Sequence, residues 1–242
     1  MTKFVSKETV NRLLKDVKQI MANPLTENGI YYIHDECDML KGYALIVGPS
    51  ETPYFGGYYF FELYYPQDYP HNPPKVVYCT NGEDIRFNPN LYKCGRVCIS
   101  LLNTWRGEQW TSCQTISTIL LTLCSLLCQN PLLNEPGVNL SHPDVLTYNE
   151  IIEYENLNVA VCDIINKKTS SQMDFFEMFE SFIIENFIKN CDKMIEIAKE
   201  KSITEFTEQK LLKTTFYQMN VKINYFKLID KLLDCKNKRI PK

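Results

Sequence analysis

Four short runs of β-forming residues between about positions 30 and 79 restrict the possible folds of this chain more than any other feature. They are GIYYIHDE, GYALIVG, YYFFELYYP and KVVYC, each rich in Tyr, Phe, Val and Ile and separated by Gly, Pro and acidic residues. Consecutive strands joined by short turns favour an antiparallel meander. Because helical spacing of apolar residues dominates before and after this region, the sequence predicts an α+β fold.

The first helix is predicted over residues 6–21, where apolar side chains recur at helical spacing. Ser6 is placed to cap its N-terminus, and Asn23-Pro24 to end it. Its outer face is basic, which is typical of a solvated surface but also suits an acidic partner.

A buried central helix is predicted over residues 111–129, which are apolar on most sides. Thr111 and Gln114 have the spacing of a capping box, and Pro131 is placed to end the helix. A further helix is predicted at about 146–165.

Beyond this point the chain is predicted to form a separate helical part. The segment NKKTSS has the composition of a linker, so we expect a domain of residues 1–166 and a helical extension of residues 167–242. Two long helical patterns follow, the first capped by Ser171 with Asp174 and the second by Ser202 with Glu205. An aromatic stripe in the first pattern needs burial against the preceding domain or within a helical pair, with self-association as the alternative. The stripe consists of Phe175, Phe176, Phe179, Phe182 and Phe187.

The composition of the chain limits the classes of molecule that it is expected to bind. The net charge is -3, with 26 basic and 29 acidic residues, so the chain lacks the basic excess typical of nucleic-acid binding and its partners are expected to be proteins. No apolar run is long enough to cross a membrane, and the N-terminus does not resemble a signal peptide. Most of the ten cysteines lie in apolar runs, which indicates a reducing compartment, the cytoplasm or the nucleus. Scattered histidines and unpaired cysteines predict no metal site.

Residues 80–110 show almost no periodic structure, and a loop of that length inside a compact domain is usually functional or disordered. It contains Cys94 and Cys98, with no histidine near either. A reactive thiol needs an electrostatic cause for its activation. From the residues alone, neither cysteine is identified as a nucleophile.

Several segments together resemble the ubiquitin-conjugating enzyme family, whose fold is the UBC fold. They are YPHNPPKV, FNPNLYKCGRVCISLL, Trp110 and LLCQNPLLNEP, and the likeness runs in order from the first helix to about residue 165. The most specific elements are the spaced prolines at 70, 73 and 74, the pair Pro89-Asn90, and a cysteine eight residues after that Asn. TPYFGG, NEPG and VAVCDII further resemble the large Z-type subclass, which carries a C-terminal helical extension.

This resemblance implies that Cys98 accepts ubiquitin or a ubiquitin-like protein as a thioester from an activating enzyme and passes it to a lysine or a ligase. Thiol exchange needs no base beside the cysteine. The resemblance gives Asn90 one of two roles, to stabilise an oxyanion or to brace the loop. Glu135 takes the position of the residue that orients and deprotonates the lysine, unless it is a plain solvated glutamate. No cofactor is expected, because the activating enzyme uses the ATP.

The resemblance also implies three partner surfaces. The basic face of the first helix would meet the activating enzyme, and two loops would meet a RING-type ligase. The outer face of the central helix would meet the carried ubiquitin, although Leu121 on that face could equally be core. The matching positions are Arg12 and Lys15; His71, Ser112 and Cys113; and Ser117, Thr118, Leu121 and Ser125.

Some positions depart from the family pattern. Asn88 replaces a histidine that is chiefly structural in most members, and Ser100 replaces a common aspartate. Two other readings compete with a ubiquitin-carrying enzyme. A non-catalytic scaffold of the same fold would lack the cysteine, and a cysteine hydrolase would need a histidine near the thiol.

Overall fold

The computed structural model describes residues 5–80, 82, 84–167, 176–204 and 209–239. The predicted caps Ser171, Asp174 and Glu205 lie outside these residues, as does Phe175. Among the described residues, no helix combines the length and the apolar character needed to cross a membrane.

The predicted meander is confirmed. Strands β1 (Ile30–His34), β2 (Lys41–Val47), β3 (Tyr58–Tyr64) and β4 (Lys75–Tyr78) form an antiparallel sheet in the order β1-β2-β3-β4. In its register, Leu45 lies opposite both Tyr31 and Phe60, so these three side chains share one face. The neighbouring residues Tyr59 and Phe61 point to the other face and are fully buried. Both faces of β3 are therefore covered.

Helix α1 (Lys7–Ala22) agrees with the prediction, with Ser6 accepting a hydrogen bond from the Thr9 amide and Asn23 at the C-terminus. The central helix α2 (Ile116–Leu126) is shorter than predicted, and its N-cap is Thr115. The capping box at Thr111 is wrong. The Gln114 amide donates to the Thr111 carbonyl in a turn that precedes the helix.

Helix α2 also ends before Pro131, which instead begins a short 3-10 helix, Pro131–Asn134. Helix α3 (Asp144–Glu155) continues into the π-helix Asn156–Asp163, so the predicted helix at 146–165 is confirmed. Asn156 fixes this wider turn, because its side chain accepts from the Tyr59 hydroxyl (2.7 Å) and donates to the Phe55 carbonyl (3.0 Å).

The C-terminal part holds helix α4 (Phe176–Thr204), a hairpin of β5 (Lys210–Lys213) and β6 (Asn220–Ile223), and helix α5 (Tyr225–Arg239). The prediction of one long second helix capped at Ser202 is wrong, since Ser202 lies inside α4 and the hairpin follows. Burial in β6 alternates from residue to residue, which is the strand period. The apolar residues of Asn220–Ile223 are therefore buried on one face of a strand and not of a helix.

Helix α4 lies on the face of the sheet that carries Tyr31 and Phe60. Phe182 stacks on Tyr31 (ring centroids 4.6 Å apart), and Phe179 packs against Phe60 (6.1 Å). The Tyr58 hydroxyl donates to the Ile183 carbonyl (3.1 Å). The predicted burial of the aromatic stripe against the preceding domain is confirmed at Phe179, which is fully buried, whereas Phe182 contacts Tyr31 but is 39% exposed. The domain boundary at residue 166 stays a prediction.

Candidate active site

Cys98 lies in the long loop and is almost covered, with 3% of the residue exposed. Its amide donates to the Asn90 carbonyl (2.9 Å), and the Asn90 side-chain amide donates back to the Cys98 carbonyl (2.6 Å). These two hydrogen bonds tie the segments around both residues together. The structure therefore brings the candidate site residues Cys98 and Asn90 together.

Asn90 is held in turn by Asn88. The fully buried Asn88 side chain accepts from the Asn90 amide (2.9 Å) and donates to the Leu126 carbonyl (2.8 Å) and to the Tyr54 hydroxyl (3.2 Å). A buried amide with several partners resists rotation, because each broken hydrogen bond leaves an unsatisfied polar group. Asn88 thus has a structural role, as expected from its sequence position.

Sequence reasoning missed Thr104. The Cys98 thiol donates to the Thr104 carbonyl (2.9 Å), and the Thr104 hydroxyl contacts the carbonyls of Val97 and Ile99 and the Ile99 amide at 2.9–3.1 Å. A backbone carbonyl holds the S–H in place but is not a base. A thioester sulfur has no hydrogen to donate, so this contact must be given up when Cys98 is acylated. No sequence signal singles out Thr104 within NTWRGEQ.

Cys94 occupies a different environment from Cys98. It is exposed and precedes Gly95, whose φ of 85° lies in the left-handed region that favours glycine. The Gly95 amide donates to the Tyr92 carbonyl (2.9 Å), which closes the turn. The predicted turn at Cys94 is confirmed.

Glu135 is half-buried just after the 3-10 helix, and its Oε2 accepts from the Tyr217 hydroxyl (2.5 Å). It is therefore not a plain solvated glutamate. Its neighbour Asn134 donates to the Leu126 carbonyl (3.3 Å), the same carbonyl that accepts from Asn88. This shared acceptor links the segment that carries Glu135 to the turn that carries Asn90.

The three histidines lie in other contacts. His34 Nδ1 contacts the Tyr32 hydroxyl (2.7 Å), His71 Nε2 lies 3.3 Å from Glu8, and His142 Nδ1 accepts from the Asp144 amide (3.1 Å). The described residues give Cys98 no histidine partner, so nothing here favours a cysteine hydrolase. They also contain no group of three or more His, Cys, Asp or Glu residues arranged to hold a metal ion.

Comparison with known proteins decides the family. The model of the family described as "Ubiquitin-conjugating enzyme" matches residues 12–157, a segment that contains Cys98, Asn90 and Glu135. The chain belongs to the ubiquitin-conjugating enzyme family.

Individual members of the family resemble the chain further. It is 40% identical over 185 residues to ubiquitin-conjugating enzyme E2 Z of Danio rerio, covering 75% of this chain and 56% of the relative. It is 44% identical over 160 residues to ubiquitin-conjugating enzyme E2 Z of Homo sapiens, covering 65% and 45%. To probable ubiquitin-conjugating enzyme protein 17 of Caenorhabditis elegans it is 34% identical, covering 71% and 25%. The chain thus spans about half the length of the first two relatives. The predicted likeness to the Z type is confirmed.

On the basic face of α1, Arg12 has a structural role. The guanidinium pairs with Asp16 (3.0 Å) and donates to the carbonyls of Ser112 and Gln114. Arg12 therefore ties α1 to the loop before α2, and its side chain is only 19% exposed. Lys15 is exposed and remains a candidate contact on this face.

The two loops predicted to meet a ligase lie side by side. The Trp110 indole donates to the Pro70 carbonyl (2.7 Å), which joins the segment before His71 to the segment before Ser112. His71, Ser112 and Cys113 are all exposed. The structure thus brings these three predicted residues onto neighbouring surface loops.

The outer face of α2 carries the remaining predicted partner-binding residues. Leu121 is 43% exposed, so the reading of Leu121 as core is wrong. Ser125 is exposed, and Ser117 and Thr118 are half-buried. All four predicted residues on this face therefore lie at least partly at the surface.

Proposed function

We propose that the chain carries ubiquitin or a ubiquitin-like protein as a thioester on Cys98 and transfers it to a lysine or to a ligase. The observation that supports this proposal is the reciprocal hydrogen bonding of Cys98 and Asn90 in a chain of this family. A cysteine held by an amide side chain, without a histidine, suits thioester exchange better than hydrolysis.

In the charging step, the Cys98 thiolate attacks the thioester carbonyl that joins the cargo to a cysteine of the activating enzyme. A new S–C bond forms on Cys98, the old S–C bond breaks, and the other cysteine leaves as a thiolate. The proton that Cys98 loses balances the proton that the leaving thiolate gains. The exchange is nearly symmetric, so a thiol of ordinary basicity is both an adequate nucleophile and an adequate leaving group.

In the discharge step, a lysine amine attacks the thioester carbonyl carbon. A C–N bond forms, the S–C bond breaks, and Cys98 leaves as a thiolate. The attacking nitrogen must lose a proton, and we assign its removal to Glu135. Asn90 has two amide hydrogens. One donates to the Cys98 carbonyl, and the second is available for the oxyanion that develops on the thioester oxygen.

The partners follow from this chemistry. An activating enzyme delivers the cargo, with Lys15 on the exposed face of α1 as a contact. The loops of His71 and Cys113 are the candidate ligase surface, and Leu121 on α2 is the candidate contact for the carried protein. ATP is consumed by the activating enzyme, so we expect no cofactor on this chain. A thiol that must stay reduced suits the cytoplasm or the nucleus.

The charging reaction tests the proposal. The protein incubated with ubiquitin, ATP and an activating enzyme should form an adduct that a reducing agent breaks, and Cys98→Ala should abolish it. Cys94→Ala is the matched control, because this exposed cysteine lies four residues away and should leave the adduct intact. Absence of an adduct with any activating enzyme and modifier would refute the proposal. Loss of the adduct in Cys94→Ala alone would assign the reaction to the other thiol.

A further inference from the structure

The turn between β5 and β6 reaches back from the C-terminal part to the candidate acid–base residue. The Tyr217 hydroxyl donates to Glu135 Oε2 across 82 residues of sequence. In the described part of the chain, Glu135 Oε1 accepts no hydrogen bond, so one carboxylate oxygen remains available. The contact thus orients Glu135 and still leaves an acceptor for an incoming amine.

This turn is anchored firmly to the preceding domain. Asp144 Oδ2 accepts from the Thr215 amide (2.8 Å), the Thr215 hydroxyl (2.5 Å) and the Phe216 amide (2.9 Å). The Phe216 ring packs on His142, with centroids 5.0 Å apart. One carboxylate oxygen with three donors fixes the backbone immediately before Tyr217.

The backbone at Tyr217 is itself unusual. Tyr217 has φ 59° and Gln218 has φ 50°, so two consecutive residues that are not glycine lie in the left-handed region. The left-handed conformation is costly for residues other than glycine, and it persists only where surrounding contacts hold it. Strain of this kind concentrates at functional sites. The turn therefore aims the Tyr217 side chain in a direction that an ordinary turn would not give.

The Tyr217 ring also connects Glu135 to the turn that carries Asn90. The Arg86 guanidinium lies over this ring, 4.8 Å from its centroid, and donates to the carbonyls of Asn88 (3.1 Å) and Pro89 (2.6 Å). A cation over an aromatic face is attracted by the ring electrons. Arg86 therefore links the Tyr217 ring to the backbone of the Asn88-Pro89-Asn90 turn, while the Tyr217 hydroxyl contacts Glu135.

Tyr217 keeps its proton at neutral pH. Burial and the hydrogen bond to Glu135 raise the pKa of its hydroxyl, so the hydroxyl remains a donor to the carboxylate. A hydroxyl that keeps its own proton orients the Glu135 carboxylate without competing for the proton that Glu135 is meant to take.

We propose that Tyr217 of the C-terminal part is a positioning residue for discharge, holding the Glu135 carboxylate where it meets the lysine amine. The inference rests on the proposed function, because Glu135 has this task only if Cys98 carries a thioester. It predicts that the C-terminal part serves the second step of the reaction and not the first. Charging of Cys98 involves no lysine and should not depend on Tyr217.

Single-turnover discharge of the charged protein to free lysine tests the inference. Tyr217→Phe removes the donor but keeps the ring over Arg86, so we expect normal charging and about tenfold slower discharge, the effect of losing one hydrogen bond to a charged group. Tyr64→Phe is the matched control, because Tyr64 donates to the Glu62 carboxylate (2.8 Å) on the exposed part of β3. This variant should charge and discharge like the parent protein.

A double-mutant cycle separates positioning from a general structural role. Glu135→Gln should slow discharge, and adding Tyr217→Phe to it should slow discharge no further. Equal additional slowing in both backgrounds would overturn the inference, as would normal discharge in Tyr217→Phe alone. Failure of the parent protein to charge would instead refute the proposed function. Asp144→Asn, which weakens the anchor of the turn, gives an independent second variant with the same expected split between charging and discharge.

Discussion

Replacing Asn90 by alanine separates the two roles that its position allows. The Asn90 side-chain amide donates to the Cys98 carbonyl, and its own backbone amide is held by the Asn88 side chain. Alanine keeps the backbone contacts and removes only the side-chain donor. Bracing of the loop is a ground-state interaction, whereas oxyanion stabilisation exists only in the transition state, while a nucleophile attacks the thioester carbonyl.

The two roles differ in magnitude. One lost hydrogen bond of 2.6 Å in a half-buried site costs about 1 kcal/mol of stability, which lowers the melting temperature by roughly 2–4 °C for a protein of this size. A lost oxyanion donor costs about 3 kcal/mol in the transition state, which slows discharge by about two orders of magnitude. Because Asn90 can donate through both amide hydrogens, we expect both effects in Asn90→Ala.

Two measurements check the prediction: thermal unfolding, and discharge of the charged protein to free lysine at saturating lysine. Charging should change less than discharge, since a thiolate is a stronger nucleophile than an amine and thioester exchange depends less on stabilisation of the oxyanion. A melting temperature lowered by a few degrees with discharge nearly unchanged would show that Asn90 only braces the loop. Our assignment of the second amide hydrogen to the oxyanion would then be refuted.

Three further predictions concern packing and pH. Phe179→Ala should lower the free energy of unfolding in urea by about 3–5 kcal/mol, because Phe179 is fully buried. Phe182→Ala should lower it less, because Phe182 is 39% exposed. Equal losses in the two variants would contradict the packing described above. Burial raises the pKa of Glu155. The fold therefore loses stability as pH rises from about 4.3, the pKa of glutamate in the unfolded chain, through the higher pKa of Glu155 in the folded protein. Glu155→Gln should therefore raise the melting temperature at pH 7, with no gain near pH 3. Burial opposes ionisation of Asp144, but hydrogen bonds from Thr215 and Phe216 outweigh it and lower its pKa. The stabilisation that Asp144 gives the fold should be complete above about pH 3.9 and should be lost as pH falls through the pKa of Asp144 in the folded protein. Hydrogen exchange at the Thr215 amide measures this loss.

The loop that carries Cys98 could be predicted from the sequence better than the C-terminal part, for a physical reason. Cys98 and Asn90 lie eight residues apart, and their pairing is a local property of a loop with a specific motif. The four strands could be predicted equally well, because runs of aromatic and β-branched residues between turn residues favour strands over helices. Thr104 was missed since it acts through its backbone carbonyl, which any residue would supply.

The hairpin and Tyr217 could not be predicted in this way. Strands of four residues, as in Lys210–Lys213 and Asn220–Ile223, are too short for periodicity to distinguish them from a helix, so the flanking helical patterns dominated. The position of Tyr217 depends on Asp144, whose carboxylate accepts from a turn more than 70 residues later. A contact between residues so far apart in the sequence produces no local sequence pattern from which it could be predicted.

This difference bears on how the C-terminal part relates to catalysis. The linker composition near residue 166 divides the sequence, but the contacts cross that point, through Phe179 on the sheet and Tyr217 at Glu135. A segment that served only as an attached scaffold would have no reason to hold two left-handed residues beside Glu135. Strain is retained where surrounding contacts make up for it, and here those contacts converge on the carboxylate to which we assign proton removal in discharge. We therefore expect removal of the C-terminal part to impair lysine discharge even in a variant whose Cys98 still charges.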